Sequence, residues 1–135
     1  MKCFLFDFDG TLADSMPAWV NKMIGALKEE GINPPEDLIK IITPLGDKGA
    51  AEYLITLGVN KTVEEIIRYT DEIARDAYEN SIPLKNGVLE FLQKTKEQGI
   101  YTAILTASPH RFIDPCLKRT KAYDLFNDVW SIEDF

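Results

Sequence analysis

The feature that most constrains this chain is a short apolar run near its start that leads directly into acidic residues. The run Cys3–Phe6 suits a buried strand, and the segment Asp7–Thr11 follows it without a break. In open α/β sheets, ligands bind at the carboxyl ends of the strands. The sequence therefore predicts an α/β fold in which this strand carries a functional site at its end.

The spacing of two carboxylates indicates the chemistry of that site. Asp7 and Asp9 are one residue apart, so in a strand their side chains would point the same way and repel each other. A divalent cation relieves this repulsion, and Mg²⁺ prefers oxygen ligands. One carboxylate can attack a phosphoryl group while a second one transfers protons. Gly10 permits a sharp turn close to a phosphate, and Thr11 offers a hydroxyl and an N–H.

The segment Phe4–Ser15 resembles the first signature motif of the haloacid dehalogenase-like hydrolases, most of which are Mg²⁺-dependent phosphatases. The resemblance implies that Asp7 is the nucleophile, which forms an aspartyl-phosphate, and that Asp9 is the general acid/base. It also implies that the Asp7 carboxylate and the Asp9 backbone carbonyl bind Mg²⁺. Two aspartates that merely cap a turn remain an alternative for the D-x-D pattern taken by itself.

A second buried strand is predicted over residues 100–105, and Thr106 follows it. An apolar strand that ends in threonine resembles the second motif of the same family. In that family the threonine hydroxyl and the next N–H bind the transferring phosphoryl group. The resemblance therefore makes Thr106 and Ala107 candidate substrate-binding residues, together with Gly10 and Thr11.

Between the two strands, apolar residues recur at helical spacing, and four helices are expected within residues 14–82. A capping box at residues 62–65 is expected to open the fourth of them. This segment resembles the helical cap of one branch of the family, which is phosphoglycolate phosphatase-like and beta-phosphoglucomutase-like. The expected architecture is a Rossmann-like parallel-sheet core, incomplete here, at residues 1–13 and 83–135, with the cap at 14–82. Lys48 follows a cap turn whose counterpart in relatives faces the active site, so it is a candidate substrate contact. A solvated lysine at a helix start explains it equally well.

The composition limits the classes of molecule that the chain is expected to bind. The net charge of −7 disfavours nucleic acid, whose phosphates require lysine and arginine, and no apolar run reaches the length of a membrane span. Cys3 and Cys116 are far apart without metal-ligand spacing, so we expect reduced thiols in a cytoplasmic protein, with Cys3 buried. The expected partner is a small phosphorylated metabolite.

Two further motifs of the family, a phosphate-binding lysine and a fourth strand ending in acidic residues, do not occur before Phe135. We therefore expect a truncated hydrolase. Its first strand would form an apolar sheet edge, open to self-association or to a missing C-terminal segment. Phosphatase activity is expected of the full-length protein and little or none of the 135-residue chain. Two alternatives stay open, a phosphomutase that uses the same intermediate and a non-catalytic remnant that binds another chain.

Overall fold

The computed structural model describes residues 2–135, which divide into two compact units. The first, called the α/β unit, comprises residues 2–16 and Arg75–Phe135. The second, called the helical unit, comprises Pro17–Ala74. The long helix α4 (Val63–Asn80) begins in the helical unit and ends in the α/β unit.

Three parallel strands form the sheet of the α/β unit in the order β1 (Cys3–Phe6), β2 (Tyr101–Thr106), β3 (Asp128–Ser131). The register pairs Phe6 with Ile104 and Thr106 with Ser131, so the three carboxyl ends lie together at one edge of the sheet. The predicted α/β class with a parallel sheet is confirmed. Within residues 2–135, β1 is an edge strand with a single neighbour.

The helices that connect the strands cover one face of this sheet. α5 (Val88–Glu97) precedes β2 and α6 (His110–Arg119) precedes β3. Both crossovers run in the same direction along the sheet, so the usual right-handed connection places both helices on the same side. On the side of α5, the Phe91 ring lies 5.9 Å from that of Phe4 and 6.2 Å from that of Phe6.

The opposite side of the sheet, called the open face, exposes large apolar side chains. Leu5 is 61% exposed, Leu105 44% and Trp130 43%. The pairing of Leu105 with Trp130 places these two side chains next to each other, since partners in register share a face. The open face is therefore an apolar surface of the α/β unit that its helices leave uncovered.

The two cysteines differ in their surroundings. Cys3 is exposed, so the expectation that it is buried was wrong. The reason is its position, because β1 is an edge strand and Cys3 alternates with Phe4, whose ring contacts α5. Cys116 on α6 is buried, and burial raises the pKa of its thiol to about 11, which Arg119 opposes only in part.

The helical unit begins with most of α1 (Met16–Glu29), which is followed by α2 (Leu38–Ile42) and α3 (Gly46–Thr56). A 3₁₀ turn at Thr43–Leu45 joins α2 directly to α3. Throughout residues 2–135, every helix is too short or too polar to cross a bilayer. The core of the unit consists of buried apolar side chains from each of its helices and from the loop before α4, namely Met23, Ala26, Leu27, Leu38, Ile42, Ala50, Ala51, Leu54, Val59 and Ile66.

The N-terminus of α4 forms as the sequence predicts. The Glu65 N–H donates to Thr62 Oγ1 at 3.2 Å, and the Thr62 hydroxyl lies 3.2 Å from Glu65 Oε1. The threonine thus satisfies one of the free N–H groups of the first turn.

A charge on the open face should reduce association of the 135-residue chain. We expect light scattering and binding of a hydrophobic dye to fall in Leu5→Lys, because a lysine on an edge strand disfavours pairing with another chain. Ile55→Lys is the matched control, since Ile55 is also exposed but lies on α3. Equal scattering of both variants and the unsubstituted chain, at rising concentration, would contradict the role of the open face.

Candidate active site

The turn after β1 is fixed by a buried residue. Phe8 is fully buried, and its carbonyl accepts the N–H groups of the three residues 11–13 at 2.9–3.2 Å. Gly10 has a φ of +75°, a left-handed conformation that side chains with a Cβ adopt only with strain. The chain therefore turns back sharply at Gly10, as predicted, and Thr11 is exposed at the turn.

Asp7 lies at the carboxyl end of β1 and is exposed. Its Oδ1 accepts the N–H of Phe8 at 2.7 Å. Because Phe6 is paired with Ile104, Asp7 comes directly after the last pair of the β1–β2 ladder. The side chain is thus accessible to a ligand at the edge where parallel strands bind ligands.

Asp9 is in a different environment, because hydroxyl groups contact both of its carboxylate oxygens. The hydroxyl of Tyr78 lies 2.5 Å from Oδ1, and the hydroxyl of Ser108 donates to Oδ2. Tyr78 belongs to the last turns of α4, and Ser108 follows β2 by two residues. Two segments that lie 69 and 99 residues from Asp9 in the sequence therefore contact its carboxylate.

Tyr78 is held among aromatic rings. Its ring is parallel to that of Phe112, with centroids 5.0 Å apart, and tilted against that of Phe8 at 6.4 Å. Burial, followed by the negative charge of Asp9, raises the pKa of Tyr78 far above its usual range. The phenol therefore keeps its proton and acts as a donor to Asp9.

Ser108 connects the ends of β2 and β3. Its N–H donates to Thr106 Oγ1 at 3.1 Å, and its carbonyl accepts the Ser131 hydroxyl at 2.7 Å. Ser131 is fully buried and Thr106 nearly so, whereas Ala107 is exposed. The loops after the three strands are thus joined by hydrogen bonds through Asp9, Ser108 and Ser131.

His110, at the start of α6, contacts two carboxylates. Its Nδ1 lies 3.1 Å from Asp114 and its Nε2 lies 2.8 Å from Asp134, while its backbone N–H donates to Glu133 at 2.7 Å. The hydrogen bonds to Asp114 and Asp134 raise the pKa of His110 above its usual value. These contacts tie α6 to the turn after β3 and give His110 a structural role.

The donor set suits Mg²⁺ with few protein ligands. In the described part of the chain, no three histidine, cysteine, aspartate or glutamate side chains form a group that could hold a metal ion. Mg²⁺ commonly uses one or two carboxylates and keeps waters and substrate oxygens, so Asp7 with the Asp9 carbonyl fits this preference. Both oxygens of the Asp9 side chain accept hydrogen bonds from hydroxyl groups. This carboxylate is therefore better suited to proton transfer than to ligating the metal.

The structure brings six of the seven predicted site residues to the carboxyl ends of β1 and β2 in the α/β unit. Lys48 instead is an exposed residue of α3 in the helical unit. The sequence motifs did not point to Tyr78, whose helical spacing is that of a packed apolar residue of α4, or to Ser108. The six residues at the strand ends are Asp7, Asp9, Gly10, Thr11, Thr106 and Ala107.

The sequence and the fold match a known family. A family model described as haloacid dehalogenase-like hydrolase matches residues 4–135. The chain belongs to the haloacid dehalogenase-like hydrolases. Among its curated relatives, a phosphoglycolate phosphatase from Pseudomonas fluorescens is 33% identical over 126 residues. That alignment covers 87% of this chain and 45% of the relative.

Solved structures show the same fold at low sequence identity. A Thermotoga maritima protein assigned as a beta-phosphoglucomutase matches with a TM-score of 0.87 at 22% identity, and the match covers 100% of this chain and 63% of that protein. A Haemophilus somnus protein assigned as a phosphoglycolate phosphatase matches with a TM-score of 0.82 at 20% identity, over 100% and 64%. The chain spans about half the length of the curated relatives it matches.

The ion pairs of His110 should make stability depend on pH. A raised pKa in the folded state contributes stability that is complete below the unfolded value, about pH 6.5, and is lost as pH rises through the folded value. We therefore expect His110→Asn to lower the urea midpoint more at about pH 6 than at about pH 9.

The same ion pairs can be observed directly, because His110 is the one histidine of the sequence. NMR titration of its ring should give a pKa above about 6.5, and Asp134→Asn should lower it. An unshifted pKa in the unsubstituted chain would contradict the described contacts.

Proposed function

We propose that the full-length protein is a Mg²⁺-dependent phosphatase that hydrolyses a small phosphate monoester through an aspartyl-phosphate. The observation that carries this proposal is the contrast between two neighbouring carboxylates. Asp7 is exposed at a strand end, whereas both oxygens of Asp9 accept hydroxyl hydrogen bonds. Pairs of acidic groups in different environments are typical of sites that divide nucleophile and acid/base roles between them.

In the first step Asp7 attacks phosphorus, and the bond from phosphorus to the ester oxygen breaks. Asp9 donates a proton to the departing alkoxide, which leaves as an alcohol. In the second step water attacks phosphorus and Asp9 takes a proton from that water. The bond from phosphorus to the Asp7 oxygen breaks, which frees the Asp7 carboxylate and inorganic phosphate. The same carboxyl group thus serves as acid and then as base.

The remaining groups at the strand ends would bind the phosphoryl oxygens. The hydroxyls of Thr11 and Thr106 and the N–H groups of Gly10 and Ala107 are donors of the required kind. Asp7 and the Asp9 carbonyl would hold Mg²⁺, which when bound supplies positive charge against the negative charges of Asp7 and phosphate.

The relatives and the helical segment support a proposal for the substrate class. The relatives named phosphoglycolate phosphatase support a small phosphorylated acid as substrate. We propose that residues 14–82 act as the cap, and that Lys48 contacts a substrate carboxylate as a point charge. Because Cys3 and Cys116 are free thiols, we also propose a reducing compartment, the cytoplasm.

The open face supports the proposal that the active protein is longer than this chain. It exposes Leu5, Leu105 and Trp130, and the alignments with the first five curated relatives cover only 45% to 59% of those proteins. We propose that further residues of the full-length protein cover this face, and we expect little or no turnover from the 135-residue chain alone.

The test is hydrolysis of a panel of phosphate esters, phosphoglycolate included, by the full-length gene product with Mg²⁺. We expect Asp7→Asn to abolish turnover and Asp9→Asn to lower kcat by about 10²- to 10⁴-fold, the usual contribution of acid/base catalysis. Removal of Mg²⁺ by a chelator should also abolish turnover.

Asp124→Asn is the matched control, because Asp124 is an exposed aspartate of the turn before β3. It should leave the rate unchanged. Turnover that survives Asp7→Asn would contradict the nucleophile. A full-length protein that hydrolyses none of the esters would favour the non-catalytic alternative.

A further inference from the structure

We infer that Tyr78 and Ser108 are positioning residues that set the orientation of the Asp9 carboxylate. The inference rests on the proposed role of Asp9 as acid/base. Both residues contact Asp9 itself, so they act on the reaction through it. Neither belongs to the strand-end motifs that first indicated the site.

The two hydroxyls contact different oxygens of the same carboxylate. Tyr78 approaches Oδ1 and Ser108 approaches Oδ2. The terminal torsion of an aspartate side chain is soft, so a single hydrogen bond would leave the carboxylate plane free to turn. Donors on both oxygens define that plane, and hydrogen bonds to a charged acceptor are stronger than neutral ones.

Tyr78 can perform this task because the rest of the residue is held in place. The guanidinium of Arg119 donates to the Tyr78 carbonyl at 3.1 Å and to the Ile82 carbonyl at 2.5 Å. These bonds hold carbonyls at and just beyond the end of α4, where helical carbonyls need partners outside the helix. The parallel ring of Phe112 holds the phenol ring at the other end.

Ser108 is likewise held on both sides of its hydroxyl. Its N–H is bound to Thr106 and its carbonyl to Ser131, which places the side chain between the ends of β2 and β3. The carboxylate of Asp9 is therefore oriented by two elements that are each tied down independently.

Hydroxyl groups suit a partner that gains and loses a proton. A hydroxyl donates to a carboxylate and can accept from a carboxylic acid, whereas an ammonium or a backbone N–H can only donate. Tyr78 and Ser108 can therefore keep hydrogen bonds to Asp9 before and after each proton transfer, without a change of its orientation.

A spectroscopic test uses the 135-residue chain and needs no activity. We expect a downfield, slowly exchanging hydroxyl proton of Tyr78 in the ¹H NMR spectrum, identified by its loss in Tyr78→Phe. It should move in Asp9→Asn and in Ser108→Ala. Tyr69→Phe is the matched control, because Tyr69 is also on α4 and bonded to a carboxylate, that of Glu29. It should leave the resonance unchanged.

A kinetic test uses the full-length gene product. Tyr78→Phe and Ser108→Ala should each lower kcat roughly 10- to 100-fold, the loss typical of a misplaced catalytic group. KM should stay within about two-fold, since substrate binding does not use these hydroxyls. Tyr69→Phe should have the same kcat and KM as the unsubstituted enzyme. In every variant the urea midpoint of unfolding should fall by no more than the loss of one hydrogen bond explains.

Two results would overturn the inference. One is the absence of the Tyr78 resonance, or its indifference to Asp9→Asn. The other is an unchanged kcat in both Tyr78→Phe and Ser108→Ala. If Tyr78→Phe fails to fold, the resonance is assigned by its nuclear Overhauser contacts to the Tyr78 ring protons, and Ser108→Ala and Asp9→Asn decide through it. An unsubstituted enzyme without phosphatase activity would contradict the proposed function alone, and the resonance would still decide whether Tyr78 and Ser108 hold Asp9.

Discussion

The parallel pairing of β1 with β2 and of β2 with β3 determines where every other group of the site can lie. Because Phe6 is paired with Ile104 and Thr106 with Ser131, three loops leave the sheet at the same edge. Had β1 and β2 been antiparallel, the loops after them would lie at opposite edges and Ser108 could not reach Asp9. The register therefore comes first, and the hydrogen bonds between the loops depend on it.

Those hydrogen bonds give two neighbouring aspartates different properties. Asp7 is exposed and accepts a hydrogen bond from the N–H of the next residue. Asp9 accepts hydrogen bonds from one hydroxyl group on α4 and from another in the loop after β2. The burial of Phe8 between them turns the chain so that their side chains no longer share one environment. A strand with two repelling carboxylates thus becomes a site in which one is accessible to a ligand and the other is held.

The sequence was sufficient for the fold class, the parallel sheet and the helix boundaries that carry local signals. The capping box at Thr62 fixes the start of α4, and Gly10 marks the turn after β1, because both depend on neighbouring residues alone. Tyr78 and Ser108 could not be predicted, since their role depends on contacts 69 and 99 residues away. The exposure of Cys3 was missed because a strand's apolar pattern does not show which face its helices leave bare.

The central claim is that Asp7, rather than Asp9 or a water molecule, accepts the phosphoryl group. The most direct measurement is mass spectrometry of the full-length protein, quenched in acid during turnover of a phosphate ester and digested. The account predicts that a peptide containing Asp7 gains the mass of one phosphoryl group, with fragmentation assigning it to Asp7. It also predicts more of this adduct in Asp9→Asn if loss of the base slows its hydrolysis more than its formation. Turnover without any phosphorylated peptide, or with the phosphoryl group on another residue, would contradict the account.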